Sequence, residues 1–313
     1  MSKILYIVNR AALGGTGARA WQRFRSIWHE QVAEQDILIT AGPGHAREIA
    51  SSCKGYEIIA AVGGDGTASE ILSGIMDRTS PRPALAVIPA GTGNDIAQNV
   101  GIFSIEDSAA ALLKGHTQFF DVIRIDCHLN GQPSHRYAFL SCWVGFAVVS
   151  ANLLKPWMKR LLGAKGAYYL STFLGLVLHR PPQMTVRWEN QEYRARSWVV
   201  LVANAEWMAG GSMRVAPGAR MDDGQLNVTI VPPWSKVKAL LKMPKLADGS
   251  HVNEPDIKYF TVKIIEVDSP HPVILEMDGD AFGTTPAAFT VCPHAIKIVS
   301  ATAPNPAHSP QPD

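Results

Sequence analysis

Two short glycine-rich stretches, each between a strand-like and a helix-like segment, constrain the fold of this chain more than any other feature. The first, VGGDGT at residues 62–67, stands at the end of a strand-like run at 57–62 and precedes a helical pattern at 68–76. The second, PAGTGND at residues 89–95, follows an apolar run at 84–88 and opens another helical pattern. Strands alternating with helices at this spacing predict a parallel sheet covered by helices on both faces.

The same alternation begins at the first residues of the chain. Strand patterns occur at Ile4–Val8 and 36–40, and helical patterns occur at 18–34 and 44–52. We therefore predict an α/β nucleotide-binding domain over residues 1–125.

After about residue 122 the pattern changes to short β-rich runs separated by Gly, Pro and Asn. These runs lie at 136–144, 184–188, 198–203, 225–231, 261–267 and 272–277. They predict an antiparallel second domain over residues 126–293, interrupted by one helical stretch at 153–179. A last strand at about 294–301 is expected to return to the first domain, and the proline-rich residues 302–313 are expected to form a disordered tail.

Composition excludes several classes of protein. The 313 residues are 47% hydrophobic and 18% charged, which excludes disorder for most of the chain. A net charge of +2 is too balanced for a bulk nucleic-acid binder, so we expect no nucleic-acid partner. Four widely spaced cysteines without a CxxC pair argue against a zinc ribbon or a disulfide scaffold and favour a reducing compartment. The uncharged stretch 137–154 alternates well enough to be read as buried strands rather than a membrane span.

The first glycine-rich stretch has the chemistry of a phosphate site. Glycines leave backbone N–H groups unshielded, and the helix behind them adds its positive end, so a polyphosphate would bind here. A carboxylate beside phosphates, here Asp65, needs a compensating cation, normally Mg²⁺. The alternative is an ordinary tight turn.

The second stretch repeats the pattern one strand later. Thr92 and Asn94 offer a hydroxyl and an amide, and Asp95 is expected to cap the next helix. The alternative is an ordinary turn before a capped helix. Loops at successive strand ends converge on one edge of a parallel sheet, where ligands bind, so a joint site is predicted.

A third segment is basic and apolar at once. No Asp or Glu occurs between residues 127 and 188, and the helical stretch 153–179 mixes aromatic and aliphatic residues with Lys155, Lys159, Arg160 and Lys165. This mixture suits an anionic membrane surface. An ordinary helix that packs on the core and exposes a basic side fits equally well.

Taken together, these motifs resemble the catalytic domain of the diacylglycerol kinase and sphingosine kinase superfamily, in its bacterial lipid-kinase branch. GGDGT followed by PAGTGND carries the resemblance, and Asn9 with residues 14–17 matches the first nucleotide loop, where Arg10 replaces a proline. Residues 40–50 resemble a segment with a nucleotide-contacting threonine. Residues 204–226 match a second-domain signature, and residues 276–280 resemble E-x-D-G-E with Asp at the last position. The resemblance implies an NAD-kinase-like α/β domain followed by an antiparallel β-sandwich.

The resemblance also implies roles for individual residues. ATP would contact Asn9, Thr40, Gly63, Gly64, Asp65, Gly66, Thr67, Gly91, Thr92 and Asn94. A structural Mg²⁺ would be held by Asp223 with the carbonyls of Arg220 and Gln225. The general base would be Asp278 or Asp280, and Asp65 would anchor the catalytic Mg²⁺. Without the resemblance, Asp278-Gly279 also fits a simple hairpin turn.

These implications define an expected function. The chain is expected to be an ATP-dependent lipid kinase of phospholipid metabolism that transfers the γ-phosphate to the hydroxyl of a diacylglycerol-like lipid in an interdomain cleft. It is expected in the cytoplasm, with peripheral contact at the inner face of the membrane. The alternatives are an NAD-kinase-like enzyme or another nucleotide-dependent small-molecule kinase, and a non-catalytic lipid- or nucleotide-binding relative. The sequence leaves the lipid and the oligomeric state open.

Overall fold

The structure is a computed structural model that describes residues 2–12, 15–28, 32–79, 81–146, 170, 173–175 and 179–301. Most of the predicted basic stretch 153–179, including its four named cations, and the predicted tail 302–313 lie outside the described residues. In the part of the chain that is described, no helix is both long and apolar enough to cross a membrane.

The N-terminal region alternates strands and helices as predicted. Its elements are β1 (Ile4–Val8), α1 (Thr16–Ile27), β2 (Ile37–Ile39), α2 (His45–Ser52), β3 (Ile58–Gly63), α3 (Asp65–Met76), β4 (Ala84–Pro89), α4 (Asp95–Asn99) and α5 (Ile105–Lys114). The strands lie side by side in the order β4-β3-β1-β2, and all of them are parallel. Every residue of β3 and β4 is buried, as expected of strands covered on both faces. The predicted α/β fold is confirmed.

Helix α1 is shorter than the predicted 18–34. Its buried face includes Trp21 and Phe24, which pack against Tyr6 of β1. The helix ends where Trp28 donates its backbone N–H to the Phe24 carbonyl, because the apolar spacing stops at this point.

The C-terminal region is β-rich and mainly antiparallel, which confirms the second part of the fold prediction. Its elements are β5 (Thr117–Leu129), β6 (Gln132–Ala138), β7 (Ser141–Gly145), β8 (Gln183–Trp188), β9 (Gln191–Arg196), β10 (Val199–Ala203), β11 (Trp207–Met208), β12 (Met213–Arg214), β13 (Leu226–Val231), α6 (Lys236–Lys242), β14 (Lys258–Val262), β15 (Ile264–Asp268), β16 (Ile274–Met277) and β17 (Asp280–Val299). Strands β14, β13, β10, β7, β16 and β17 are consecutive neighbours, and β5 and β15 also pair with β17. Alternate residues of these strands fill one apolar core that includes Val200, Leu226 and Phe289.

Strand β17 connects the two regions. It is 20 residues long and begins at Asp280, beside the turn from β16. Its middle pairs with β5 and β15, with register shifts that let it bend. Near its end, Ile298 lies opposite Leu85 of β4 in a parallel pairing. The last strand therefore extends the parallel sheet and also belongs to the β-rich region.

Candidate active site

Three loops meet at the carboxyl ends of β1, β3 and β4. The Thr16 hydroxyl donates to the Ala90 carbonyl at 2.9 Å, and the Ala90 N–H donates to the Gly63 carbonyl at 2.8 Å. The predicted convergence of the glycine-rich stretches is therefore present, and the loop after β1 joins them. Gly14 of that loop lies outside the described residues.

Asn9 and Thr40 flank the first glycine-rich stretch. The Asn9 side-chain amide donates to the Thr67 hydroxyl at 3.0 Å, and its carbonyl oxygen accepts the N–H of Ala11 at 3.1 Å. Thr40 donates its backbone N–H to Val8 at the end of β1. Both predicted ATP contacts thus lie at the same sheet edge as GGDGT.

The two glycine-rich stretches touch through Gly64 and Gly91. A Cβ on Gly91 would lie 2.7 Å from the Cα of Gly64 and 2.7 Å from Oδ1 of Asn94. Asn94 closes the second stretch by accepting the Gly91 N–H at 2.7 Å and donating to the Gly91 carbonyl at 3.0 Å. Gly64 and Gly91 are required by the packing of one loop on the other, whereas Thr92, the residue after Gly91, is exposed.

Asp65 caps helix α4. Its Oδ1 accepts the N–H of Ile96 at 2.9 Å, which satisfies a donor of the first helical turn. The prediction that Asp95 caps this helix is wrong. Asp95 instead accepts the backbone N–H groups of Ala209 at 3.0 Å and Gly210 at 2.6 Å, in the loop after β11. Burial and the charge of Asp65 raise the pKa of Asp95, against these two hydrogen bonds.

Asp280 lies against the first glycine-rich stretch. Its Oδ2 is 3.1 Å from the position that a Cβ on Gly66 would occupy. Burial and the negative charges of Glu70 and Asp65 raise the pKa of Asp280, and the positive charge of Arg136 opposes that rise. Asp280 is exposed, and its carboxylate makes no hydrogen bond to the described residues, so the carboxylate is available to a ligand.

Asp278, the other predicted base, has a different environment. It is buried at the turn between β16 and β17 with φ 47. Its carboxylate accepts four donors: the N–H groups of Phe139 at 2.8 Å, Leu140 at 2.9 Å and Ser141 at 3.1 Å, and the Ser69 hydroxyl at 3.3 Å. Burial raises its pKa to about 6, and the hydrogen bonds act against this rise. Through these hydrogen bonds, Asp278 connects the β16–β17 turn to α3 and to the β6–β7 connection.

Arg136 was not identified from the sequence. It is half-buried on β6, and its guanidinium carbon lies 4.1 Å from the ring centre of Phe282, two residues after Asp280. Its Nε is buried and makes no hydrogen bond to the described residues. Burial lowers the pKa of Arg136, and the charges of Glu70 and Asp280 act to raise it. The one available signal was the absence of acidic residues around it from 127 to 188.

The predicted metal ligands lie in the loop before β13. Asp223 accepts the N–H of Gln225 at 3.0 Å, and Arg220 pairs with Asp222 at 3.2 Å. Burial together with the charges of Asp121 and Asp222 raises the pKa of Asp223. The carboxylates of Asp121, Asp222 and Asp223 bring negative charge to this loop, and Arg220 offsets part of it. Among the described residues, however, no group of three or more His, Cys, Asp or Glu is arranged to hold a metal ion, so backbone carbonyls would have to complete the ligand set.

Asp121, the buried carboxylate near this loop, already accepts two backbone hydrogen bonds. Asp121 accepts the N–H of Gly224 at 2.6 Å and the N–H of His294 at 2.7 Å. It therefore fixes this loop against β17, while Asp223 is an exposed carboxylate of the same loop.

Comparisons with known proteins find similar sequences along most of the chain. Residues 3–125 match the family described as "Diacylglycerol kinase catalytic domain", and residues 150–300 match "YegS C-terminal NAD kinase beta sandwich-like domain". The chain is 27% identical over 244 residues to a diacylglycerol kinase of Staphylococcus haemolyticus, covering 78% of this chain and 71% of that protein. It is 26% identical over 235 residues to one of Staphylococcus aureus, covering 75% and 71%.

Solved structures give the same picture of the fold. A diacylglycerol kinase from Bacillus anthracis superposes with a TM-score of 0.71 at 25% identity, over 98% of each chain. Yeast NADH kinase complexed with NADH has a TM-score of 0.54 at 12% identity, over 96% of this chain and 84% of that one. The second likeness concerns the fold alone.

Proposed function

Because the chain belongs to the diacylglycerol kinase superfamily, we propose that it is a lipid kinase that transfers the γ-phosphoryl group of ATP to the hydroxyl of a diacylglycerol-like lipid. The observation that carries the proposal is the closeness of Asp280 to Gly66: Oδ2 of Asp280 lies 3.1 Å from the position that a Cβ on Gly66 would occupy. It brings a carboxylate of the β-rich region to the loop whose backbone would cradle the phosphates.

The position of Asp280 near Gly66 suggests how the reaction would proceed. The lipid hydroxyl oxygen forms a bond to the γ-phosphorus, the bond from that phosphorus to the bridging oxygen of ADP breaks, and Asp280 accepts the hydroxyl proton. Gly64 and Gly66 would offer their N–H groups to the phosphates, whereas Gly63 is buried behind the Thr67 side chain. Asn9, Thr40 and the second glycine-rich stretch border the space for the nucleotide.

The proposal gives Asp278 and Asp280 separate roles. We assign the base to Asp280, because the carboxylate of Asp278 is occupied by four protein donors. Arg136 would hold Asp280 in its ionised form by charge.

Mg²⁺ enters the proposal at two places. Asp65 would hold the catalytic ion, which when bound neutralises charge on the phosphates. Asp223 with the carbonyls of Arg220 and Gln225 would hold a structural ion. The surplus of negative charge in that loop supports the second site.

The proposal extends to organisation and location. We divide the chain into a nucleotide domain of residues 1–125, to which residues 294–301 return, and a lipid-substrate domain of residues 126–293. The enzyme would act from the cytoplasm on lipid at the inner face of the membrane, in phospholipid metabolism.

A direct phosphorylation assay tests the proposal. Purified protein would receive γ-labelled ATP, Mg²⁺ and, separately, diacylglycerol, a sphingoid base, ceramide, phosphatidylglycerol, an undecaprenol-type alcohol and NAD⁺. We expect label in diacylglycerol or a near relative, and loss of most of this label with Asp280→Asn. Labelling of NAD⁺ in preference to every lipid would replace the proposal with an NAD kinase function. No transfer to any acceptor would leave a non-catalytic binding protein.

A further inference from the structure

A cavity of about 470 Å³ lies in the β-rich region, at the opposite end of β16 from the proposed base. Ile274, the first residue of β16, lines the cavity, whereas Met277, the last residue, pairs with Asp280. Three residues of strand span about 10 Å. The other walls are the end of β7, the residues just before β8, the end of β9 and the loop between β15 and β16. The cavity is therefore distinct from the edge of the parallel sheet where the glycine-rich stretches meet.

The lining of this cavity is positively charged. It contains Arg180, Arg196, His179 and His271, and the described residues that line it include no Asp or Glu. Arg196 donates from Nη1 to the Pro181 carbonyl at 3.1 Å, and neither arginine forms an ion pair with a described residue. Burial lowers the pKa of His179, so the two arginines supply the permanent charge.

Two carboxyl groups lie close to this lining along the chain but outside it. Asp268, the last residue of β15, accepts the backbone N–H of Ser269 at 2.7 Å. Glu276, two residues after Ile274, is half-buried. Burial and the charge of Asp280 raise the pKa of Glu276 to about 7, so this group carries only part of a negative charge near neutral pH. The lining therefore keeps a net positive charge that a bound anion would balance.

The loop between β15 and β16, which forms one wall, is fixed by hydrogen bonds. The Ser269 hydroxyl donates to the His271 carbonyl at 2.7 Å and is also hydrogen-bonded to the Thr285 hydroxyl. Val273 donates its N–H to the Thr285 hydroxyl at 3.0 Å, and its carbonyl accepts the Thr285 N–H at 2.9 Å. A wall held in this way is formed before a ligand arrives, which lowers the cost of ordering on binding.

We propose that this cavity is a binding site for the phosphate group of an organic phosphate ester, with Arg180 and Arg196 as the residues that bind its oxygens. A guanidinium group offers paired N–H donors that match the oxygens of phosphate. Pro182, Pro272 and Ile274, the last with 47% of its surface exposed, add apolar surface for the organic part. The site is separate from the proposed nucleotide site, and the inference does not depend on the proposed kinase function.

Two probes test the site and distinguish the source of the phosphate. Calorimetry with glycerol 3-phosphate tests a free ester, and co-sedimentation with phosphatidylcholine vesicles that contain phosphatidic acid tests a lipid headgroup. A non-hydrolysable ATP analogue is present throughout, so that the glycine-rich stretches do not compete for the phosphate. We expect Arg180→Gln and Arg196→Gln each to weaken binding of the recognised probe by about 10-fold or more. The matched control is Arg194→Gln, which removes the same charge from an exposed residue of β9 outside the lining.

The outcomes are distinct. Weaker binding of glycerol 3-phosphate in the two cavity variants would support the site with a free ester as its ligand, and the same loss with the vesicles alone would support it with a lipid headgroup. Failure of the wild type to bind either probe would overturn the proposal. Equal affinities of the wild type and all three variants would overturn it as well, and so would an equal loss in all three, because that loss would reflect overall charge.

Thermal unfolding guards against a variant that fails to fold. Arg196→Gln removes the donor to the Pro181 carbonyl and can lower stability. Arg180 makes no hydrogen bond to the described residues, so Arg180→Gln should melt like the wild type and decides the test by itself. Wild-type affinity of folded Arg180→Gln for both probes would overturn the role of Arg180 and, with it, the proposal.

Discussion

The carboxylate of Asp95 accepts the backbone N–H of Gly210 at 2.6 Å, so the second glycine-rich stretch holds a loop of the β-rich region directly. Asp95→Ala removes the acceptor for both Gly210 and Ala209. Hydrogen bonds to a charged group contribute about 1.5–3 kcal/mol, so amide exchange at these two positions should accelerate by about 10-fold or more. Hydrogen exchange followed by mass spectrometry measures this. Asp107→Ala, in helix α5, is the control, and equal exchange at 209–210 in both variants would contradict the prediction.

Gly91→Ala should destabilise the protein and weaken ATP binding. The added Cβ would come within 2.7 Å of the Gly64 backbone, so the two glycine-rich stretches must separate. Overpacking of this kind costs about 1–3 kcal/mol. Gly42→Ala is the matched control, because nothing lies within 4 Å of its Cβ position. Chemical denaturation gives the free energy of unfolding and calorimetry the ATP affinity. A Gly91→Ala protein equal to Gly42→Ala in both would show that the contact is not tight.

Asp280→Asn should lower turnover and leave stability almost unchanged. Removing a general base costs about 10²–10⁴-fold in rate, and Asp280 makes no hydrogen bond to the described residues that the fold would lose. Lipid phosphorylation and thermal unfolding are the two measurements. Full turnover in this variant would place the base elsewhere, with Asp65 the next residue to test.

Asp278→Asn should have the opposite profile. The amide brings an NH₂ group toward donors that need an acceptor, so at least one buried N–H of the Phe139–Ser141 turn loses its partner. We expect the free energy of unfolding to fall by about 2–4 kcal/mol. Urea denaturation measures it, and wild-type stability would remove the structural role assigned to Asp278.

The pH dependence of stability provides a test of the Glu276 environment. A carboxyl whose pKa in the folded state is about 7, against an ordinary 4.5, binds its proton more tightly when folded. Its contribution to stability therefore falls as pH rises from 4.5 to 7, and the loss is complete above pH 7. Glu276→Gln lacks this titration, so the difference in unfolding free energy between the variant and the wild type should grow in favour of the variant over that range. Glu266→Gln is the control, and parallel profiles for all three proteins would contradict the prediction.

The sequence predicted the part of the site at the edge of the parallel sheet. It did not predict how the residues of the β-rich region are arranged around it. Parallel strand ends converge by rule, so the two glycine-rich stretches could be brought together from their spacing alone. The roles of Asp278 and Asp280 could not be separated from the sequence. The backbone of the turn between β16 and β17 buries the carboxylate of Asp278 and places that of Asp280 near Gly66. Arg136 and Glu276 owe their interest to neighbours far away in the chain, and the only local signal was the lack of acidic residues around Arg136.

The sequence also did not predict that β17 would be a single strand of 20 residues. Gly283, Pro286 and Pro293 interrupt the apolar alternation, and such residues usually end a strand. In the structure the strand continues past all three. Its register against β5 shifts between Thr284 and Ala288 and again between Cys292 and Ile296, so the two prolines fall in bulges. Gly283 falls in a register shift against β16.

The return of β17 to the parallel sheet has a consequence for biosynthesis. A ribosome releases the strands of the α/β region long before it has made Ile298, the residue that pairs with Leu85. Until then β4 keeps an open edge of unpaired N–H and C=O groups, which is a template for pairing with another chain. The nascent protein is therefore most exposed to misassembly during translation of its β-rich half, and the risk ends when its final strand closes that edge.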